Sequence, residues 1–418
     1  MTNKTPGRIG KLKTLSSLSY KNFRYLWIST VLYGAASWMQ IIVLGWLIYE
    51  LTDSPFLVGA LQAAWSFPFL LVGPLSGVMS DRMDRKKLLQ INQVLMGTVT
   101  LCFAIVVTLG WERPWNVFVL AILTGCGWAM NVPLRQAILP NVVPKEALMN
   151  AIALSSTAFS MTQVLGPAVG GLIIAYLGPS TVFYILAGLY VTVIILLMPI
   201  KLEVGPSTGK RLSSVATDTK EGLAYVMSER SVLASVLMGF IPQICIVPFT
   251  TGLMPVFAKD VLGLQADGLG ILYSSVGIGG LLGAVFIASI GNVGKRGFIL
   301  MAMGVLAGIT VMAFSRSNSL AIALAALSVL GLFRIIFDTL NNTNLQIITP
   351  EKFRGRVMSI YMLNHGIAPL GAVVAGTIAN FYGSPAAVAF GGAATVAFIL
   401  AVGIRFGVAN PPRPSSEL

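Results

Sequence analysis

The sequence predicts an all-α membrane protein of twelve transmembrane helices arranged as two pseudo-symmetric six-helix bundles. Three observations lead there. Of its 418 residues 56% are hydrophobic and only 10% are charged, with a mean hydropathy of +0.82, whereas soluble domains carry about 25% charged residues. The apolar residues come in repeated stretches, each long enough to cross a hydrocarbon core of about 30 Å, which takes roughly 20 residues of helix. Finally, Leu165-Gly-Pro-Ala-Val-Gly-Gly171 through Gly178 recurs as Leu370-Gly-Ala-Val-Val-Ala-Gly376 through Gly383 at an offset of 205. Pro144 and Pro350 stand at nearly the same offset. A parallel repeat of six spans is the plan of membrane proteins that rock two bundles about a central site.

Read between charged or Gly/Pro punctuation, the first-half spans fall near 25–50, 56–80, 88–110, 115–138, 148–176 and 180–200. The second half repeats the count at 232–257, 266–290, 297–315, 319–343, 356–382 and 385–407. Between them, residues 201–231 are polar and mixed in charge, with an amphipathic helix expected at 218–228. The chain therefore divides into a tail (1–24), a bundle (25–200), a linker (201–231), a second bundle (232–407) and a second tail (408–418). The first 24 residues are polar and basic, and the run after them is too long for a signal h-region and lacks an A-x-A site. The first span is thus expected to stay as an anchor.

Orientation follows from Lys and Arg, which accumulate in cytoplasmic loops. Alternate sides of the spans hold 23 and 3 of them, the minority being Arg113, Lys259 and Arg316. Both termini and the linker are therefore expected in the cytoplasm, in the inner or plasma membrane. The net charge of +13 is spread between apolar runs rather than clustered on a soluble domain, so it marks topology and not a nucleic-acid partner. Cys102, Cys126 and Cys245 lie inside apolar runs without pairing spacing or neighbouring ligands, which excludes a disulfide framework and a metal site.

The sharpest motif is Gly73-Pro-Leu-Ser-Gly77-Val-Met-Ser-Asp81-Arg82-Met-Asp84-Arg85-Lys86-Lys87, a small-residue helix end running into a charged turn between spans 2 and 3. Glycine allows close helix approach, and Asp81 is suited to capping a helix or pairing with an Arg. The run resembles the loop signature of the major facilitator superfamily, G-x-x-x-D-R-x-G-R-[KR], on which Gly77, Asp81, Arg82, Arg85 and Lys86 fall while Asp84 replaces the usual glycine. That resemblance implies a conformational latch, with Arg135 at the matching depth of span 4 as its partner. A snorkelling topology anchor is the other reading of Arg135.

Gln163-Val-Leu-Gly166-Pro167-Ala-Val-Gly170-Gly171 in span 5 is similar to the G-P-x-x-G-G element of superfamily exporters, although tight helix packing alone would also account for it. Asn22-Phe-Arg-Tyr-Leu-Trp27, Trp46-Leu-Ile-Tyr-Glu50-Leu-Thr-Asp-Ser-Pro55 and Pro133-Leu-Arg135-Gln-Ala-Ile-Leu-Pro140-Asn-Val-Val-Pro144 resemble the enterobactin-exporter and macrolide-efflux branch. The loop Gly291-Asn-Val-Gly-Lys295-Arg296 keeps only traces of the charged signature.

Polar groups inside spans are few and costly, about 2.5–3.5 kcal/mol for a charge on insertion scales. In span 10, Arg334, Asp338, Asn341 and Asn342 share one helical face, with Arg334 near mid-depth and Asp338 one turn nearer the cytoplasm. That face lines a central cavity or the seam between halves; a structural ion pair is the alternative. Asp338 is the only carboxylate deep in a span and hence the candidate proton carrier. A neighbouring Arg favours the ionised carboxylate, so Asp338 takes a proton only when Arg334 swings away or binds substrate. His365, beside Asn364 in span 11, is either a relay member or a hydrogen-bonded structural histidine.

Ser37, Trp38 and Gln40 in span 1, Asn131 in span 4, Gln163 in span 5 and Gln243, Thr250 and Thr251 in span 7 are scattered among apolar residues. The resemblance implies that spans 1, 4, 7 and 10 line the cavity. Such a lining suits amphipathic organic compounds, and interhelical hydrogen bonding is the alternative role for each residue. No Walker loop, G-x-S-x-G elbow, H-E-x-x-H motif or triad is present, so neither an enzyme nor a cofactor is expected. The expectation is a monomeric secondary exporter of drug-like or siderophore-like small molecules, working by alternating access with protons as coupling ion and lipid as its surroundings. A facilitator or lipid-handling flippase of the same fold, or a non-transporting receptor, are the other readings.

Overall fold

Within a bilayer each backbone N–H and C=O must be satisfied inside its own segment, and the predicted runs achieve this as helices. The computed structural model describes residues 13–201, 212–290 and 296–408. The parts of the two tails and of the linker at 1–12, 202–211 and 409–418 lie outside the described residues.

Spans 1 to 6 are Lys21–Thr52, Pro55–Ser66 continuing as Pro68–Arg82, Arg85–Thr108, Pro114–Ile138, Leu148–Leu177 and Pro179–Leu197. Span 7 begins with Arg230–Ile241 and ends at Val261; spans 8, 9, 10 and 12 are Ala266–Ile290, Arg296–Ser315, Leu320–Ile348 and Ser384–Phe406. Among the described residues, eleven helices are long and apolar enough to cross a membrane. The eleventh span in chain order is in two pieces, Glu351–Met362 and Ala368–Tyr382.

Beyond the turn at Phe67 in span 2, spans 7 and 11 depart from plain helix. Span 11, expected unbroken over 356–382, is interrupted by the 3-10 turn Leu363–Ile367. Pro369 has no N–H for the carbonyl four residues back, and its ring crowds that carbonyl, so the backbone tightens there. Span 7 carries Pro242, Pro248 and Pro255 and widens into π-turns over Pro242–Ile246, Pro248–Gly252 and Phe257–Val261. The N–H of Val247 donates to Pro242 O and that of Gly252 to Val247 O, both at 2.9 Å and five residues back. The linker helix is longer than expected, Leu212–Ser228, and packs on the start of span 11. There Glu221 and Arg356 stand 2.8 Å apart, and Tyr225 stacks on Phe353 with ring centroids 4.3 Å apart.

Local chemistry sets the helix starts. Ser54 accepts from Leu57 N and Ser319 from Ile322 N, while Asp84 accepts from Lys86 N at 2.9 Å and Lys87 N at 3.3 Å. Spans 4 and 6 begin on Pro114 and Pro179, where the missing N–H costs nothing. Gly178 and Gly383 make the sharp turns into spans 6 and 12 with φ 81°, ψ 164° and φ 83°, ψ 158°, a region open essentially to glycine alone. A Cβ on Gly178 would meet nothing within 4 Å, so Gly178→Ala isolates the backbone term. It is expected to destabilise by about 1–3 kcal/mol; an unchanged unfolding midpoint in detergent would contradict this.

Spans 1 to 6 pack among themselves, as do spans 7 to 12, and the two groups meet chiefly through spans 5 with 8 and 2 with 11. The repeat seen in the sequence is thus a repeat of contacts. Corresponding helices of the two groups exchange places across the interface.

Candidate functional site

The membrane face carrying Lys21, Arg85 and Leu148 is called here the near face, and the one carrying Thr52, Leu177 and Tyr382 the far face. Small residues build the contacts between bundles. A Cβ on Gly171 would stand 2.5 Å from Ala266 O and 2.9 Å from Gly270 Cα, and one on Gly270 would stand 2.5 Å from Pro167 O. The mirror seam places Gly59 against the Ala372 carbonyl and Gly376. Ser274 adds a hydrogen bond across the first seam, donating to Val164 O at 2.6 Å.

At the far face a polar clasp joins spans 1 and 7. Tyr49 donates to Asp260 Oδ2 at 2.5 Å, Lys259 Nζ lies 2.8 Å from Asp53 Oδ1, and the same ammonium sits 5.1 Å from the Tyr49 ring centroid. This clasp and the two glycine seams lie from mid-depth to the far face, and they seal the bundles there.

The near half of the N-terminal bundle is organised around Arg135, which is buried. Its Nε donates to Asn131 Oδ1 at 2.7 Å, Nη1 to Ser29 Oγ at 2.8 Å and Thr30 Oγ1 at 3.0 Å, and Nη2 to Ser29 O at 3.3 Å. The guanidinium stands 5.1 Å from the Tyr33 ring centroid. Among the described residues all of these partners are neutral. In the C-terminal bundle Asn341 takes the corresponding place, donating to Ser235 O at 2.9 Å. Asn341 and Ser235 each stand 206 residues beyond Arg135 and Ser29.

Arg334 and Asp338 lie one turn apart on one face of span 10. Arg334 Nε and Asp338 Oδ2 are 3.9 Å apart, too far for a hydrogen bond, and the carboxylate side chain is 37% exposed although it lies deep in its span. Asp338 has no hydrogen-bond partner among the described residues. Tyr361 lies close to Asp338 and Asn341, and Asn342 accepts from Gln346.

The other sequence candidates separate by direction. Gln40 turns into the N-terminal bundle, where its Oε1 accepts from the Tyr190 hydroxyl at 3.1 Å. Trp38 faces span 5, with Gly166 against its Cβ and Phe159 at a centroid distance of 6.4 Å. Gly170 packs on Met39, so the exporter-like motif touches span 1 with Gly166 and Gly170 and span 8 with Pro167 and Gly171. Gln163 borders the same seam against Gly277, and Gln243 lies half-buried in a π-turn of span 7.

Of the charged loop, Arg85 Nη1 donates to Ala137 O at 3.1 Å and Lys86 Nζ to Met198 O at 2.7 Å, bracing the ends of spans 4 and 6. Asp84 is the residue whose side chain caps span 3. The side chains of Asp81, Arg82 and His365, and the surroundings of Gly77, lie outside the described residues.

Sequence reasoning missed the cradle of Ser29, Thr30 and Tyr33, the far-face clasp, and an aromatic group in which Trp128 stands 5.1 Å from Trp65 and 5.0 Å from Phe69. It also missed Gly59 and Gly270. Carrying the offset of 206 between Pro144 and Pro350 back to span 1 would have paired Ser29 with Ser235.

The chain matches the family described as transmembrane secretion effector over residues 12–413. It is 24% identical over 366 residues to the staphyloferrin A transporter of Staphylococcus aureus (strain NCTC 8325 / PS 47), covering 86% of this chain and 90% of that protein. It is 23% identical to macrolide efflux protein A of Streptococcus pyogenes, covering 80% of this chain and 83% of that protein. The crystal structure of the nucleoside transporter NupG (D323A mutant) superposes with a TM-score of 0.73 at 15% identity, over 93% of this chain and all of that one. With eleven long apolar helices among the described residues and span 11 in two pieces, this multi-pass membrane protein belongs to the transmembrane secretion effector family of the major facilitator superfamily.

Proposed function

We propose that this protein is a secondary active exporter of amphipathic small molecules, drug-like or siderophore-like, held here with its far side closed and its near side facing the cytoplasm. The observation that carries this reading is the seal on one side: two small-residue seams and a polar clasp join the bundles from mid-depth to the far face, and in this reading the charge-bearing face of span 10 lines the space below them. Residues 25–200 and 232–407 move as two bodies, with 201–231 as the cytoplasmic linker and the tails 1–24 and 408–418 on the same side. Both relatives carry organic compounds in their names, which supports such a substrate class. The apex of the inter-bundle space, walled by Leu44, Leu61, Gln62, Trp65 and Tyr273, is mainly apolar and narrow, and a guest enters it in this reading only as the bundles part.

Asp338 is the proton carrier in this reading. It lies deep in its span, is partly exposed, and is only loosely paired, so substrate binding near Arg334 can change its protonation. Arg85, Lys86 and Arg135, with Gly77, Asp81 and Arg82 of the same loop, form the latch that holds the near face when the far face opens. The protein acts as a monomer.

The test is efflux of a fluorescent amphiphile from cells carrying wild type or Asp338→Asn, with both found in the membrane. Wild-type efflux is expected to stop with a protonophore, and the variant to fall to background. Efflux indifferent to both treatments would overturn proton coupling and point to a facilitator.

A further inference from the structure

We propose that the interior of the N-terminal bundle binds ordered water between spans 1, 3 and 6. Gln93, Gly97 and Thr100 share the buried face of span 3. Gly97 is a point of contact with span 6, where a Cβ would stand 3.3 Å from Tyr190 Cβ. Tyr190 in turn reaches span 1, donating to Gln40 Oε1 at 3.1 Å. Gln40, Gln93 and Thr100 are all buried. Yet among the described residues both ends of the Gln93 amide, the Gln40 Nε2 and the Thr100 hydroxyl have no hydrogen-bond partner. A buried threonine in a helix usually donates to a carbonyl three or four residues back. Thr124, Thr162, Thr250, Thr310, Thr349 and Thr395 all do so here. The Thr100 hydroxyl does not, and is left for another acceptor or donor.

The chemistry of these groups selects the ligand. Two amide nitrogens carry donors, an amide oxygen accepts, and a hydroxyl does either. The donors repel a cation. An anion would need Arg135, which stacks on Tyr33 and is committed to Asn131, Ser29 and Thr30. A neutral molecule that donates, accepts and takes two to four polar partners is water. Gln93 and Thr100 lie about 10 Å apart along the axis at 1.5 Å per residue, a gap that about three waters span at hydrogen-bond spacing. The C-terminal bundle offers the comparison. Spans 3 and 9 begin at residues 85 and 296, and Gly97 and Gly308 stand at the same step from those starts. Gly308 meets Val396 where Gly97 meets Tyr190. The positions matching Gln93 and Thr100 are Gly304 and Val311, and the offset of 206 that pairs Ser29 with Ser235 pairs Gln40 with Ile246. Those four places are apolar, with Ile399 and Phe337 closing on Gly304, so the fold itself does not call for the polar cluster.

X-ray radiolysis of the purified full-length protein in detergent, with oxidation mapped by mass spectrometry, tests this. Radicals formed from bound water oxidise the side chains that touch it. Tyr190 is expected to be oxidised although it is buried, while Phe314, equally buried among apolar residues of the far half, is expected to stay intact. Gln93→Leu combined with Thr100→Val removes the polar groups at nearly constant size. Tyr190 oxidation should then be lost, and the unfolding temperature should not rise, because groups satisfied by water cost little to keep. In a dry interior the same groups are orphans, and removing them raises the unfolding temperature. Such a rise therefore overturns the proposal. Wild-type oxidation of Tyr190 no greater than that of Phe314 overturns it without any variant. Undiminished oxidation in the double variant takes the water away from Gln93 and Thr100 and overturns it as well. None of these outcomes depends on export, so they stand apart from the transport test.

Discussion

Replacing Gly270 with valine is expected to abolish efflux while the protein still reaches the membrane. A Cβ there would stand 2.5 Å from Pro167 O, 3.1 Å from Gly171 Cα and 3.3 Å from Pro167 C. All three are backbone atoms, so no rotamer change relieves the clash, and the seam must part. Overpacking of this kind costs about 1–3 kcal/mol. Because each 1.4 kcal/mol is about a tenfold change in an equilibrium constant, the far-closed population should fall by about ten- to a hundredfold. A second reading comes from a cysteine introduced at Leu44, in the apex pocket, in a background lacking the three native cysteines. Its labelling by an impermeant maleimide added at the far face should rise in the Gly270→Val variant. Gly59→Val should act alike through the mirror seam, and Gly188→Val, where a Cβ meets nothing within 4 Å, should leave efflux intact. Wild-type efflux and labelling in Gly270→Val would remove the seams from the mechanism.

Arg135→Met is expected to end transport with little change in stability. A charge buried without an opposite charge costs several kcal/mol, roughly what its four donated hydrogen bonds return. Removing it orphans little, because Ser29 and Thr30 already donate to Leu26 O at 2.7 and 2.8 Å; only Asn131 Oδ1 loses its partner. Methionine is of similar length and fills the space. Unfolding stability should therefore stay within about 1.5 kcal/mol of wild type, the scale of one neutral hydrogen bond, while efflux falls to background. A charge kept in the membrane interior without a stability return is kept for use. Arg135→Lys should recover little, since one ammonium cannot reproduce a fork that reaches Asn131, Ser29 and Thr30 together. A variant that unfolds readily, or one that transports normally, would show that Arg135 is only structural.

The spans were legible because bilayer thickness and backbone satisfaction act on each segment by itself. Helix ends fell within a few residues of expectation wherever Gly, Pro or a capping residue marks them, as at Gly178, Gly383 and Ser54. The span 10 face was legible for the same reason, since Arg334 and Asp338 sit four apart on one helix. The break in span 11 was missed although Pro369 signals it, because a run of apolar residues on either side reads as continuous. Direction around the helix axis was less legible. Gln40 and Ser37 are three residues apart, yet only packing against Tyr190 decides that Gln40 points into its own bundle.

By itself the sequence determined that the chain crosses a membrane twelve times, that its halves repeat, and where its few intramembrane charges lie. Those properties depend on composition, local periodicity and short-range repeats. Only the tertiary structure decided that Gly171 meets Gly270 and Gly59 meets Gly376, that Arg135 is cradled by span 1, and that a polar clasp joins spans 1 and 7 at the far face. The physical reason is that each of these contacts joins helices far apart in the chain. A glycine reads alike in sequence whether it faces lipid, as Gly188 does, or another helix at backbone distance.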